Sequence, residues 1–285
     1  LVAAVYFYGL KVLILFTITL ISALITEFAF AKILKQKISM ALFVSVILFV
    51  LSLPPNIPIW ISIVGIVFGI SFGKMFFGGF GKNVFNPAIT GRTFIYISFG
   101  PYLTSGWVNP LISFPAGFIK FKADTITTAT PLNNLLLNSL NLEFKFDLLK
   151  DYLFGNKAGC LGEGLAILII LIGIYLIYKK YASWQIVLGG LSSFIVFSSI
   201  FYLFKKSPNP LYMALTGGWL YGLFFMITDP VSASTTKIGK FIYGSLYSLL
   251  TILIRIFGIW TEGAMFAILI SNTFAPTIDY ILKKK

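Results

Sequence analysis

Hydrophobic residues run almost unbroken along this chain, and the polar positions fall in short clusters between them. The pattern predicts seven clear apolar segments, at 11–31, 58–77, 162–178, 183–203, 210–228, 240–257 and 262–281. Each is close to the ~20 residues a helix needs to cross a ~30 Å hydrocarbon layer. Two further segments are short. Segment 39–53 stops at Pro54 and Pro55, and segment 84–99 opens around Pro87. Proline removes a backbone donor and disfavours helix in the residue before it, so a sharp turn is expected at 54–56 and a broken or half-length helix from Pro87. The opening run from Leu1 to Tyr8 reads as the end of an earlier span. The expected fold class is an all-α polytopic membrane protein of about nine to ten transmembrane helices, forming one integral domain over residues 1–285.

Composition agrees with this. The chain is 58% hydrophobic and 11% charged, against roughly 25% charged residues in soluble domains. The net charge of +13 does not point to nucleic acid, because the basic residues sit in small groups between apolar runs and never interleave with aromatics as a patch. They act as orientation signals. Lys32, Lys35, Lys37, Lys82, Lys179, Lys180, Lys237, Lys240 and Lys283 to Lys285 share one side if every segment crosses, and that side should be cytoplasmic. The connection 100–162 then lies outside, while Lys205 and Lys206 stand on the side opposite to the rule. Arg255 does too, and is expected to snorkel to the interface. Cys160 is the sole cysteine and histidine is absent, which excludes an intrachain disulfide and any multi-cysteine metal or iron–sulfur site. No metal site is expected, and redox chemistry would have to come from an organic cofactor.

The order of landmarks repeats along the chain. Glu27, Pro54-Pro55-Asn56 and the Gly78–Pro87 stretch precede the long connection; Glu163, Ser207-Pro208-Asn209-Pro210 and Thr228-Asp229-Pro230 follow it. This is the order expected of an inverted repeat with interrupted helices, whose free ends hold charge near the bilayer midplane. Asn86 and Asp229 each precede a proline and are expected to cap the helices that follow. Capping alone accounts for both. The alternative is that Glu27, Asn83, Asn86, Glu163 and Asp229 line an ion path or a second cofactor pocket, since intramembrane acids are costly and mark such paths. Glu262 and Asp279, at the two ends of the last segment, are expected at the interface. Gly78, Gly79 and Gly81 have no phosphate-loop spacing and read as a tight turn.

The long connection carries a different signal, Asp124-Thr125-Ile126-Thr127-Thr128-Ala129-Thr130. Four threonines in six positions behind a carboxylate suit either ordinary turn chemistry or the presentation of a hydroxyl for modification.

Together with Phe77–Ala88, Ile227–Thr236 and Ala275–Tyr280, that stretch resembles the membrane subunits of two ion-pumping electron-transfer complexes, the NQR2/RnfD/RnfE family. The likeness covers nearly the whole chain with four motifs in order. It implies that Thr130 carries FMN through a phosphoester bond made by a separate flavin transferase outside the cytoplasmic membrane. Asp124, Thr127 and Ala129 fill the other fixed positions of the attachment motif, and Thr128 replaces a common glycine. Non-covalent riboflavin is a second cofactor the resemblance admits. It further implies a multi-pass subunit in the bacterial inner membrane, in contact with lipid and the other subunits of an Rnf or Nqr complex, coupling electron transfer to Na⁺ or H⁺ movement. The short start and the 129–132 and 229–236 stretches resemble the D subunit of the Rnf complex more than the B subunit of the sodium-translocating NADH:quinone reductase. A secondary transporter or channel with no redox role would explain the broken helices and buried acids equally well, but not the threonine motif.

Overall fold

The computed structural model describes residues 1–111, 116–121, 132, 135–136, 146–258 and 262–284. Asp124, Thr127, Ala129 and Thr130 lie outside these residues. The fold is all-helical and divides into two compact units, the first made of residues 1–128 with 160–164, the second of residues 129–159 with 165–285.

In the first unit, α1 (Val2–Tyr8) and α2 (Lys11–Leu34) are followed by α3 (Ala41–Leu51) and α4 (Ile59–Ile70). A π-helical turn, Ser71–Met75, continues α4, and α5 (Pro87–Ser98), α6 (Gly100–Thr104) and a 3-10 turn at Ala116–Phe118 follow. The α4–α5 crossing explains a glycine spacing in the sequence. Gly65, Gly69 and Gly73 recur every four residues on one face of α4 and its extension, where an added Cβ would run into Ile95, the Pro87 and Gly91 backbone, and Thr90. Small residues at this spacing let helix backbones approach closely in a membrane, where packing replaces the hydrophobic effect as the force between helices. Phe68, Phe72 and Phe76 recur at the same period, and Phe68 stacks on Phe94 of α5 with ring centroids 3.9 Å apart.

The second unit contains α7 (Phe146–Phe154), α8 (Ala166–Tyr178), α9 (Trp184–Leu203) and α10 (Pro210–Leu215). It continues with α11 (Trp219–Tyr221), a second π-helical turn at Gly222–Met226, α12 (Lys237–Phe257) and α13 (Ala264–Lys283). Small residues again set the main crossing. Gly189 and Gly190 of α9 face Phe241, Gly244 and Ser248 of α12, and Ser193 and Ser245 hydroxyls each donate to a carbonyl of the opposite helix, at 3.0 and 3.1 Å.

Helices α2, α9, α12 and α13 are long and apolar enough to cross a bilayer; α3, α8 and α4 with its π extension are shorter apolar helices. Two expectations need correction. Segment 210–228 is not one helix, because Gly217 and Gly218 take positive φ of 70° and 67°, a conformation open to glycine and closed to a continuing α-helix. Asp229 caps no helix: α12 begins at Lys237, and its N-cap is Thr236, whose Oγ1 accepts from the Gly239 amide at 3.1 Å.

Candidate functional site

Glu27 lies on the last two turns of α2, and a short connection folds the chain back so that Ser39 meets it. The Ser39 amide and hydroxyl donate to Glu27 Oε1 at 2.8 and 3.1 Å. Lys74, on the first π-helical turn, donates to Glu27 Oε2 at 2.7 Å and to Ser39 Oγ at 2.6 Å. Both charged side chains are 2% exposed. Lys74 was missed by sequence reasoning, although a lysine inside the apolar run Ser71–Phe77 is itself a signal, because a buried ammonium needs a partner.

The turn after Lys74 is built as expected. Gly78, Gly79 and Gly81 have φ of 101°, 96° and 87°, and Gln36 donates to the Gly78 carbonyl at 3.1 Å. The Asn83 side chain donates to the Phe85 carbonyl at 3.2 Å. Asn86 is the N-cap of α5, with Oδ1 accepting from the Ala88 amide at 3.0 Å. Glu163 stands apart from these residues, buried in the turn before α8; its Oε2 accepts from the Cys160 amide at 3.5 Å, and Arg92 of α5 reaches the Cys160 sulfur at 3.3 Å.

Asp229 lies in the second unit, just past the second π-helical turn. Its carboxylate accepts from the Val231 amide at 3.2 Å and the Ser232 hydroxyl at 3.1 Å. Nearby, Asn272 of α13 donates to the Tyr243 hydroxyl at 2.6 Å and to the Ser232 carbonyl at 3.4 Å.

Asp279 lies on the last two turns of α13. It is buried, and it accepts from the Ser234 hydroxyl (2.5 Å), the Thr235 amide and hydroxyl (2.7 and 2.8 Å) and the Thr236 amide and hydroxyl (3.2 and 3.0 Å). Those bonds hold 234–236 out of helical register, which is why α12 starts late. Glu262 is buried as well. Arg255 does not snorkel. It is buried and donates to the Met213, Thr216 and Gly217 carbonyls at 2.6, 2.9 and 2.8 Å, and Lys157 donates to the Leu215 carbonyl. A helix that breaks off leaves unsatisfied carbonyls with partial negative charge, and at the end of α10 two cations meet them.

The flank of the threonine motif is anchored beside this point. Leu132 is buried with its side chain against Gly217, and Leu135 packs with Tyr152 and Tyr212 in a small core. Burial pushes the Tyr152 phenol up to about 12, with Tyr212 and Asp151 adding to the shift.

The match to known proteins extends over the whole of this architecture. The model of the NQR2, RnfD, RnfE family fits residues 1–285. The chain belongs to that family. It is 35% identical over 94% of its length to the B subunit of the Na⁺-translocating NADH-quinone reductase of Ectopseudomonas mendocina, of which it covers 66%. Identity to the protein of the same name from Pseudoalteromonas atlantica is 36% over 98% of the chain, covering 68% of that protein. With its namesake from Azotobacter vinelandii it is 34% over 94%, again covering 66%. The chain thus spans about two thirds of the length of these family relatives.

Proposed function

We propose that the chain is the membrane subunit of a bacterial inner-membrane oxidoreductase that couples electron transfer to the movement of Na⁺ or H⁺. It would act only with its partner subunits and after a flavin transferase has attached FMN to Thr130, with Asp124, Thr127 and Ala129 completing the attachment motif. FMN in that position would supply a one-electron carrier fixed by a covalent tether. The observation that carries the proposal is the threonine motif of a family member beside a buried anchor: Leu132, two residues after Thr130, packs on Gly217 at the broken helix α10.

The ion-coupling half draws on the buried acids. Glu27 and Asp229 each stand near a π-helical turn, a feature that recurs at functional sites, and both units place such a turn before a polar break. That parallel supports an inverted repeat in a membrane protein of about nine to ten spans. Glu27, Asn83, Asn86, Glu163 and Asp229 are the proposed lining of the ion path or of a second pocket, for quinone or non-covalent riboflavin. The names of the relatives favour the quinone-reductase complex. The 129–132 and 229–236 stretches favour the Rnf form, and the electron acceptor of the purified complex would separate the two.

The deciding test is in-gel flavin fluorescence of the denatured protein made with its transferase, with peptide mass analysis across 120–145. A fluorescent band with an FMN-sized adduct on Thr130, lost in a membrane-inserted Thr130→Ala variant, is the expected outcome. A dark parent band with unmodified Thr130 would leave a transporter without redox chemistry as the better reading.

A further inference from the structure

Glu27 is held by a cation that the protein carries itself. Two oxygens from different elements, Glu27 Oε2 on α2 and Ser39 Oγ on the turn after it, converge on Lys74 Nζ at 2.7 and 2.6 Å. The Ser39 hydroxyl donates its proton to Glu27 Oε1, so its lone pairs are left to face the ammonium. Oxygen lone pairs closing on one positive point are what a small hard cation seeks. With both side chains 2% exposed, water does little to screen the site.

Stability is a weak reason for such a pair, since apolar residues of equal volume commonly serve as well or better at a buried position. The backbone that carries Lys74 suggests another use. It lies in the π-helical turn Ser71–Met75, where the hydrogen-bond register has shifted by one residue, and such turns mark functional sites more often than chance. Gly78, Gly79 and Gly81 follow at positive φ, a hinge that side chains would oppose. Glu27 is seven residues from Leu34 at the end of α2, roughly 10 Å along the helix axis at 1.5 Å per residue.

We propose that Lys74 is a tethered competitor for the Glu27–Ser39 site, and that it sets the concentration at which the monovalent cation moved by the complex takes that site. The proposal rests on the ion-coupled function above and specifies how one of its acids is regulated. With Lys74 seated, Glu27 is neutralised internally and the site is closed. When the ammonium withdraws, the carboxylate and the serine hydroxyl are exposed together to a cation of the same charge.

The test uses the assembled complex in detergent. Electron-transfer rate is titrated with NaCl and with LiCl, choline chloride holding ionic strength constant, for the parent, for Lys74→Met and for the double variant Glu27→Gln/Lys74→Met. Removing the competitor should lower the half-activating cation concentration of Lys74→Met by a factor on the order of ten, within the range of ordinary coupling between sites. The double variant, which lacks both competitor and carboxylate, should need more cation than the parent. A half-activating concentration in Lys74→Met equal to the parent's overturns the proposal. If Lys74→Met does not assemble, Lys74→Gln takes its place with the same reading: a lowered value supports the proposal, and the parental value reduces the pair to a structural one. A parent complex indifferent to both salts would overturn this proposal and leave H⁺ as the coupled ion of the function above.

Discussion

Asp279 shows how much one residue can hold. Five donors from Ser234, Thr235 and Thr236 converge on its carboxylate, tying α13 to the stretch that precedes α12. A buried donor left without an acceptor costs about 1–3 kcal/mol, so Asp279→Ala should lower the unfolding temperature of the detergent-solubilised protein well below that of Asp279→Asn, which keeps an acceptor oxygen. Equal unfolding temperatures for Asp279→Ala and the parent would mean that the hydroxyl stretch does not depend on this latch. This latch was not legible in the sequence, because all partners of Asp279 are more than forty positions away. Lys74 escaped notice for the same reason, lying 47 residues from Glu27. Asn86 was legible, since a cap and its amides are two positions apart and local spacing is enough to read them.

Hydrophobic runs located most of the helices, because a span is defined by length and apolarity and both are written in the chain. The break at Gly217–Gly218 was not readable. A glycine pair inside an apolar run suits close helix packing and a positive-φ turn equally, and only the Arg255 and Lys157 donors at the end of α10 decide for the turn. The late start of α12 was hidden likewise, its cause being Asp279 on another helix. The glycine spacing of α4 yields a prediction of its own. A leucine at Gly69 would meet the Pro87 carbonyl and the Gly91 backbone, neither of which can rotate away. Overpacking costs about 1–3 kcal/mol when side chains can adjust, and backbone adjusts less. Gly69→Leu should therefore leave the first unit sensitive to protease in membranes, while Gly100→Leu, where an added Cβ meets nothing within 4 Å, should match the parent. Equal resistance in both variants would show that the α4–α5 contact tolerates separation.

For the whole molecule, function and orientation are one question, because an ion path has two ends and the flavin motif must face only one side. Asp229→Asn keeps the shape of the side chain and an acceptor oxygen for the Val231 amide, so assembly and flavin content should stay parental while the ion gradient formed in vesicles per electron transferred falls severalfold, the scale of ordinary coupling energies. A parental gradient would remove Asp229 from the path. Orientation can be read with cysteines, since Cys160 is the sole native one and is buried, making Cys160→Ser a suitable background. Strict alternation of spans puts Lys35 and Lys180 inside and Asp147 outside, in agreement with the lysine bias. The two arguments part at Lys205, which alternation sends outside and charge bias holds inside. All four positions are exposed. A membrane-impermeant maleimide on intact cells should therefore label Asp147→Cys and Lys205→Cys but neither Lys35→Cys nor Lys180→Cys, with the pattern reversed in inverted vesicles. Labelling of Lys205→Cys only in inverted vesicles would mean that one segment between Lys180 and Lys205 enters and leaves on the same face. Labelling of Asp147→Cys only there would put the threonine motif in the cytoplasm, out of reach of a transferase that works outside, and would undo the flavin assignment.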